Sequence, residues 1–264
     1  MGARYKGAAE HNARRPRRRL SFFHAGPAPK GFGSLSGALR DGLILTPGMK
    51  VGLFGGSFNP AHDGHAHVAE TAMRRLGLDR VVWLVSPQNP LKSDDGMEPL
   101  PTRVARARQL ARHPRIRVDA PELVLGTRYT LDTVRALRRL YPRAKFVWIM
   151  GADNLVQLPQ WRDWREIARL MPIAVIARPG YNDRAHARRA MGWLRRFVRP
   201  ADQKAHWTDW RPPALVFLRF SPDVRSATAI RQANPRWFER YEGRALRDPL
   251  TRSRLADPIR KGRI

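Results

Sequence analysis

Short apolar runs alternate with longer stretches of helical periodicity through most of this 264-residue chain. The runs are rich in β-branched residues and have the length of buried strands, which we predict at residues 51–54, 80–86, 116–118, 145–150, 173–177 and 215–218. The helical spacing of apolar residues predicts helices at residues 63–76, 102–112, 129–140 and 185–198. Residues 206–213, with two tryptophans and two prolines, are predicted to form a loop. This alternation of strands and helices predicts an α/β fold with a parallel sheet.

The first predicted strand leads directly into a turn that suits a phosphate group. Gly55-Gly56 ends the apolar run, and the turn residues 57–60 precede a helix whose N-cap we predict to be Asp63. A strand, a glycine turn and a helix start direct backbone N–H groups and the positive end of a helix dipole at one point. In a parallel sheet, ligands lie beyond the carboxyl ends of the strands, where this turn falls.

Two histidines strengthen the prediction of a phosphate site. His62 and His65 are three residues apart at the predicted helix start, so both rings can face the same side. Imidazoles beside a phosphate can donate hydrogen bonds that strengthen as charge develops on the transferred group. Isolated histidines with this spacing are more often surface residues. The preceding strand and glycine turn reverse that preference.

Residues 55–65, GGSFNPAHDGH, resemble the GG-[ST]-F-[DN]-P-x-H-x-G-H element of the nucleotidyltransferase superfamily, without a gap. The resemblance implies a Rossmann-like, doubly wound parallel sheet in a single nucleotidyltransferase domain at residues 49–243. It also implies ATP binding by the turn and two catalytic histidines at the α-phosphate. The residues concerned are Gly55, Gly56, Ser57 and Phe58 for ATP, and His62 and His65 for catalysis.

A second phosphate-binding element is predicted near the end of the domain. Ser226 and Thr228 lie at a predicted helix start, with Arg231 one turn further on, an arrangement that suits the β- and γ-phosphates of a nucleoside triphosphate. The stretch resembles the superfamily's I-S-S-T-x-I-R element, with Ala227 in place of the second serine. Arg231 is accordingly predicted to be catalytic, at the leaving pyrophosphate. An ordinary N-capped helix is the alternative for this stretch.

The segment after the fourth predicted strand indicates one branch of the superfamily. Gly151, Asp153 and Trp161 are similar to the G-x-D-x-L…W pattern of nicotinate-nucleotide adenylyltransferases. The resemblance implies that Gly151 and Asp153 bind ATP, with Asp153 near the ribose, and that Trp161 stacks on the nicotinate ring. Core packing is the alternative for Trp161 and the favoured interpretation for Trp164.

Three further elements resemble the same branch. Lys92 ends a P-x-x-P-x-K loop, residues 129–133 match a Y-T-x-D-T segment, and Arg178 begins R-P-G after a strand. By this resemblance, Lys92, Tyr129 and Thr130 bind the mononucleotide substrate, and Arg178 packs over adenine. The resemblance then extends from about residue 49 to about residue 241.

The implied reaction is adenylyl transfer from ATP to nicotinate mononucleotide, which gives deamido-NAD and pyrophosphate. The attacking phosphate oxygen is already ionised, so catalysis rests on positioning and charge stabilisation and needs no general base. The motifs contain no cluster of carboxylates, so no protein metal site is expected, and Mg²⁺ should arrive with ATP.

Composition adds limits and one open question. The chain has no cysteine, which excludes disulfides and thiolate sites, and no apolar run approaches the roughly 20 residues of a membrane span. We therefore expect a cytoplasmic protein with no membrane partner. The net charge is +28, and both ends are basic: residues 1–48 are expected to be a disordered extension and residues 244–264 a frayed tail. Oligomeric state stays open.

Several alternatives share parts of these motifs. Adenylyltransferases for nicotinamide mononucleotide or phosphopantetheine, and cytidylyltransferases, have the same first element, so only the later segments disfavour them. A class I aminoacyl-tRNA synthetase fragment would need a lysine-rich loop downstream, which residues 226–231 do not provide. The basic charge also fits a non-catalytic nucleic-acid-binding protein, but no zinc ligands or helix-turn-helix pattern support specific nucleic-acid binding.

Overall fold

The structure, a computed structural model, describes residues 43–87, 97–176, 188–218, 230 and 232–233. All six predicted strands are present: β1 (Lys50–Gly56), β2 (Arg80–Val85), β3 (Ile116–Asp119), β4 (Lys145–Gly151), β5 (Ile173–Ile176) and β6 (Leu215–Leu218). They pair in parallel in the order β3-β2-β1-β4-β5-β6. The chain winds outward from β1 to β3 and then returns to β4 on the other side of β1. This doubly wound sheet confirms the predicted fold.

The helices connect successive strands and cover both faces of the sheet. They are α1 (Asp63–Leu76), α2 (Leu100–Leu110), α3 (Pro121–Leu125), α4 (Thr130–Leu140), α5 (Ala152–Gln157), α6 (Trp164–Leu170) and α7 (Arg188–Leu194). The four predicted helices are among them. The pattern missed α3, α5 and α6 because helices of five to seven residues are too short to show a periodic apolar face.

Two local predictions were wrong. The N-cap of α1 is His62 instead of Asp63, because Asp63 already belongs to the first turn of the helix. Ala201–Asp209, of which residues 206–209 were predicted as loop, are 3-10 helical on both sides of a kink at His206. Trp207 explains this: its side chain is 1% exposed, and its indole Nε1–H donates to the carbonyl of Leu76 at 2.8 Å. Packing beneath α1 therefore orders a segment that has no periodic pattern of its own.

Alternate residues of the strands supply two separate cores, except that the edge strand β3 contributes to only one of them. On one face, Val81, Trp83 and Val85 of β2 pack beneath α1 and α2. On the other face, Val82 and Leu84 pack with residues of α4 and α7. Burial on both faces explains why the strands other than β3 appear in the sequence as continuous apolar runs.

Glycine in β1 is required by close packing against β4. A Cβ atom built on Gly55 would lie 2.8 Å from the ring of Trp148, closer than side-chain carbons approach one another. The backbone of β1 can therefore pass over the indole only with glycine at this position. This contact shapes the carboxyl end of β1, where the glycine turn begins.

The topology places a crevice between β1 and β4. After β1 the chain moves to one side of the sheet, and after β4 it moves to the other, so their carboxyl ends form the switch point at which ligands bind in open α/β sheets. The glycine turn follows β1, and Asp153 follows β4. The topology therefore brings the carboxyl-end residues of these two strands to one edge of the sheet.

Several predictions lie outside the described residues. They concern Lys92, Arg178, Ser226, Thr228 and Arg231, residues 1–42 of the basic extension predicted at 1–48, the tail 244–264 and the domain limit at 243. These stay predictions. Residues 43–48 of the predicted extension are described, and Leu43 among them is 1% exposed and packs in the second core. Within the described part of the chain, no helix is long and apolar enough to cross a membrane.

Candidate nucleotide site

The turn after β1 has a backbone conformation that its aromatic neighbours hold in place. Phe58 has a φ angle of +48°, which non-glycine residues seldom adopt. Its ring is 2% exposed, stacks on Trp83 at a centroid distance of 5.0 Å, and meets the edge of Phe54 at 5.7 Å. This packing compensates for the strained backbone and fixes the turn. The side chain of Phe58 is thus a core group, which leaves its main chain for the predicted ATP contact.

The two predicted histidines are adjacent at the start of α1. Their ring centroids are 3.9 Å apart, and the His62 N–H donates to Nδ1 of His65 at 3.2 Å. Because Nδ1 accepts this bond, the proton of a neutral His65 ring lies on Nε2. Nε2–H is a donor of the kind that a phosphate oxygen accepts.

The His65 ring also packs on the aromatic residues that hold the turn. Its centroid is 4.8 Å from that of Phe58 and 6.1 Å from that of Trp83. His62 is 5% exposed, whereas His65 is partly exposed. The turn and the histidines are therefore one packed unit, so the orientation of the imidazole is set before any ligand binds.

A pocket of about 220 Å³ lies at the switch point. Six residues predicted for ATP or the mononucleotide line it together: Gly55, Gly56, Ser57, Tyr129, Thr130 and Trp161. The other described site residues, Phe58, His62, His65, Gly151 and Asp153, are not among its lining residues. The pocket thus joins the glycine turn to the residues predicted for the mononucleotide.

Aromatic rings form one end of this pocket. Trp161 is partly exposed and meets Trp148 edge to face at a centroid distance of 5.9 Å. The guanidinium of Arg162 lies 4.6 Å from the centroid of the Tyr129 ring, and Tyr129 is the N-cap of α4. An indole face and a cation on a pocket wall suit a flat, negatively charged ligand. Trp164 instead packs against Trp193 on the neighbouring surface, in agreement with a packing role.

Asp153 is placed to accept a hydrogen bond from a ligand. It lies in the first turn of α5, directly after β4. Its Oδ1 atom is buried, and within the described residues no group donates a hydrogen bond to it. A buried acceptor without a partner is costly, so a ligand hydroxyl at this position would be stabilising.

The sequence interpretation missed several polar residues of the pocket. They include Ser86, Glu122, Arg128 and Arg162. Glu122 is the most unusual of them, because burial raises the pKa of its carboxyl to about 7, while hydrogen bonding to Ser86 and the charge of Arg103 oppose the shift. The hydroxyl of Ser86 donates to Oε2 of Glu122 at 3.3 Å. The position of Glu122 just after the carboxyl end of β3 was the signal in the sequence that could have identified it.

The described residues contain no group of three His, Asp or Glu side chains that could hold a metal ion. A divalent cation at this site would therefore need most of its ligands from elsewhere, and a triphosphate supplies oxygen ligands of the type that Mg²⁺ prefers. The donor set of the site fits a cation that is bound by the nucleotide.

Phosphate-binding features at the switch point of a doubly wound sheet define a nucleotide-binding α/β protein. Comparison with known proteins makes this specific. A family model described as cytidylyltransferase-like matches residues 53–233. A probable nicotinate-nucleotide adenylyltransferase of Erythrobacter litoralis is 54% identical over 77% of this chain and 93% of its own length. One of Ruegeria pomeroyi, with the same name, is 57% identical over 78% of this chain and 96% of its own length.

The chain belongs to the cytidylyltransferase-like family and, within it, to the nicotinate-nucleotide adenylyltransferases. It is accordingly a nucleotidyltransferase. A solved structure, Plasmodium falciparum nicotinic acid mononucleotide adenylyltransferase complexed with NaAD, shares the fold with a TM-score of 0.52 over 70% of this chain and 83% of that one. At 13% sequence identity, this likeness supports the fold alone.

Proposed function

We propose that this chain transfers the adenylyl group of ATP to nicotinate mononucleotide, forming deamido-NAD and pyrophosphate. One observation carries the proposal: a single pocket runs from the glycine turn at Gly55 and Gly56 to Tyr129 and Trp161. The turn suits phosphates, and the aromatic end suits a pyridine ring. Relatives that are more than half identical to this chain carry the name of this activity.

The chemistry needs alignment and charge stabilisation. A phosphate oxygen of the mononucleotide attacks the α-phosphorus of ATP in line; the new P–O bond forms as the bond to the leaving pyrophosphate breaks. Negative charge on the oxygens of the α-phosphate is stabilised by Nε2–H of His65, by His62 and by N–H groups of the turn. The hydrogen bond from His62 N–H to His65 Nδ1 keeps the donor in the correct tautomer.

The other roles follow from the family motifs and from local chemistry. Asp153, whose Oδ1 lacks a donor among the described residues, accepts a ribose hydroxyl. Ser226 and Thr228 bind the β- and γ-phosphates, and Arg231 stabilises the leaving pyrophosphate. Lys92 and Thr130 hold the mononucleotide, and Arg178 packs over adenine. Bound with ATP, Mg²⁺ would neutralise phosphate charge.

The direct test is pyrophosphate release by the purified full-length chain with ATP and Mg²⁺. We expect turnover with nicotinate mononucleotide and a lower kcat/KM with nicotinamide mononucleotide, because the guanidinium of Arg162 at the aromatic end, which also forms ion pairs with Asp132 and Asp163, interacts more favourably with a carboxylate than with an amide. Phosphopantetheine should give no release. Equal or better turnover with the amide would reject the proposed substrate while keeping the adenylyltransferase chemistry.

His65→Ala tests the catalytic histidine. Loss of one donor to developing charge lowers kcat by about a hundred- to a thousandfold. His67→Ala is the matched control, because His67 lies on the same helix two residues further on and is not part of the proposed site. A His65→Ala variant with near-normal kcat would remove this imidazole from the mechanism.

A further inference from the structure

Arg103 is a charged residue in the interior beneath the site. It lies in the first turn of α2 and is 1% exposed. Burial of a guanidinium is costly unless its donors are satisfied. The partners of this side chain therefore indicate why it is there.

Those partners are four main-chain carbonyls. Nη1 donates to the carbonyls of Ser57 and Ser86, both at 2.7 Å, and Nη2 donates to that of Pro87 at 2.7 Å. Nε donates to the carbonyl of Glu98 at 2.8 Å. A guanidinium presents its donors in a rigid plane, so the four oxygens are held in one fixed arrangement.

These carbonyls belong to the segments that surround the nucleotide site. Ser57 is in the glycine turn after β1, and Ser86 and Pro87 follow β2. Two other bonds support the same junction: Ser86 N–H donates to the Gly56 carbonyl at 3.0 Å, and Glu98 N–H donates to Oδ1 of Asn59 at 3.1 Å. Arg103 joins all three segments through one side chain.

We infer that Arg103 is a positioning residue for adenylyl transfer, which fixes the glycine turn by holding its Ser57 carbonyl. A peptide plane has its N–H and C=O on opposite sides, so fixing the carbonyl of Ser57 also fixes the direction of the next N–H group. That group is the N–H of Phe58. In the proposed function, the N–H groups of the turn donate hydrogen bonds to the phosphates. The inference rests on the proposed function for its kinetic consequence, but the structural role of Arg103 can be measured separately.

The cation persists at physiological pH. Burial lowers the pKa of Arg103 to about 10, while the charges of Glu98 and Glu122 oppose this shift. Glu98 also forms a buried ion pair with Arg106, so the carboxylate has a second cation as partner. Arg103 thus uses its donors on main-chain oxygens and balances its charge with Glu98 and Glu122.

The first test compares Arg103→Met with Arg108→Met in the full-length chain. Arg108 is the matched control: it lies on the same helix and also donates to a carbonyl, that of Val118 in β3, away from the turn. In Arg103→Met, we expect kcat/KM for ATP to fall about a hundredfold, as misplaced contacts commonly cause. KM for nicotinate mononucleotide should stay unchanged, because Arg103 does not line the aromatic end of the pocket.

The second test is amide hydrogen exchange, which does not depend on turnover. Peptides that cover residues 55–60 should exchange faster in Arg103→Met than in the wild type, whereas peptides from β5 should not change. If Arg103→Met does not fold, Arg103→Lys gives the same measurement, since lysine keeps the charge but cannot reach four carbonyls. Guanidinium ions added to Arg103→Ala, well below denaturing concentrations, should restore part of the activity.

Two results would overturn the inference. One is wild-type exchange in residues 55–60 of the Arg103 variants; the other is equal loss of activity in Arg103→Met and Arg108→Met. Absence of turnover in the wild type would instead reject the proposed function, and the exchange experiment would still decide the role of Arg103.

Discussion

The buried carboxyl of Glu122 makes protein stability depend on pH in a way that one substitution should remove. Burial raises its pKa from 4.5 to about 7 in the folded protein. Between these two values the folded protein binds more protons than the unfolded chain. Stability therefore falls as pH rises through this interval and stays lower above pH 7.

The pKa values set the size of the effect. A change from 4.5 to about 7 corresponds to at most roughly 3 kcal/mol of lost stability above pH 7. Glu122→Gln removes the charge but keeps an oxygen that can accept the Ser86 hydroxyl. At pH 8 the variant should therefore be more stable than the wild type by about 1–3 kcal/mol. At pH 5 this advantage should fall to about a quarter of its value at pH 8, because the carboxyl of the unfolded chain is still partly ionised there.

Urea denaturation at pH 5, 6, 7 and 8 measures this difference directly. Other groups titrate equally in both proteins, so the difference between the two unfolding free energies isolates Glu122. Gln203→Ala is the control, because it changes an exposed side chain that does not titrate, and its difference from wild type should not vary over this range. A difference for Glu122→Gln that is constant from pH 5 to pH 8 would refute the reasoning.

Two further pairs of substitutions test packing and recognition. Gly55→Ala should destabilise the fold by about 1–3 kcal/mol, because the new Cβ would lie 2.8 Å from Trp148. Gly192→Ala, in a helix with open space around it, should instead stabilise by up to about 1 kcal/mol, and equal thermal shifts for both would contradict this account. Trp161→Ala should raise KM for nicotinate mononucleotide more than Trp161→Phe does, and leave KM for ATP unchanged; a matching rise for ATP would place the indole elsewhere.

The short apolar runs of the strands, repeated along the chain between helices, made the sheet predictable from sequence. Every strand except the edge strand β3 is buried on both faces and appears as a short apolar run, and the alternation with helices was enough to predict the parallel sheet. The short helices α3, α5 and α6 were missed because they are fixed by tertiary contacts and by their strand ends. Trp207 shows the same limit, since its packing partner Leu76 is 131 positions away in the sequence.

The candidate site was predictable where a motif is contiguous. Residues 55–65 carry the turn and both histidines in a single stretch, and Tyr129 and Trp161 lie directly in recognisable segments. Glu122 and Arg103 were not identified, because neither belongs to a motif and their importance depends on burial. A glutamate or an arginine in a helix is ordinarily a solvated side chain, so only the three-dimensional structure distinguishes these two.

The bond between Trp207 and the end of α1 has a consequence for biosynthesis. The carboxyl end of α1, at Leu76, packs against Trp207, which is synthesised 131 residues later. Domains form their native contacts only after the partners have been synthesised. We therefore expect the carboxyl end of α1, although encoded early, to reach its final packing among the last parts of the nascent protein.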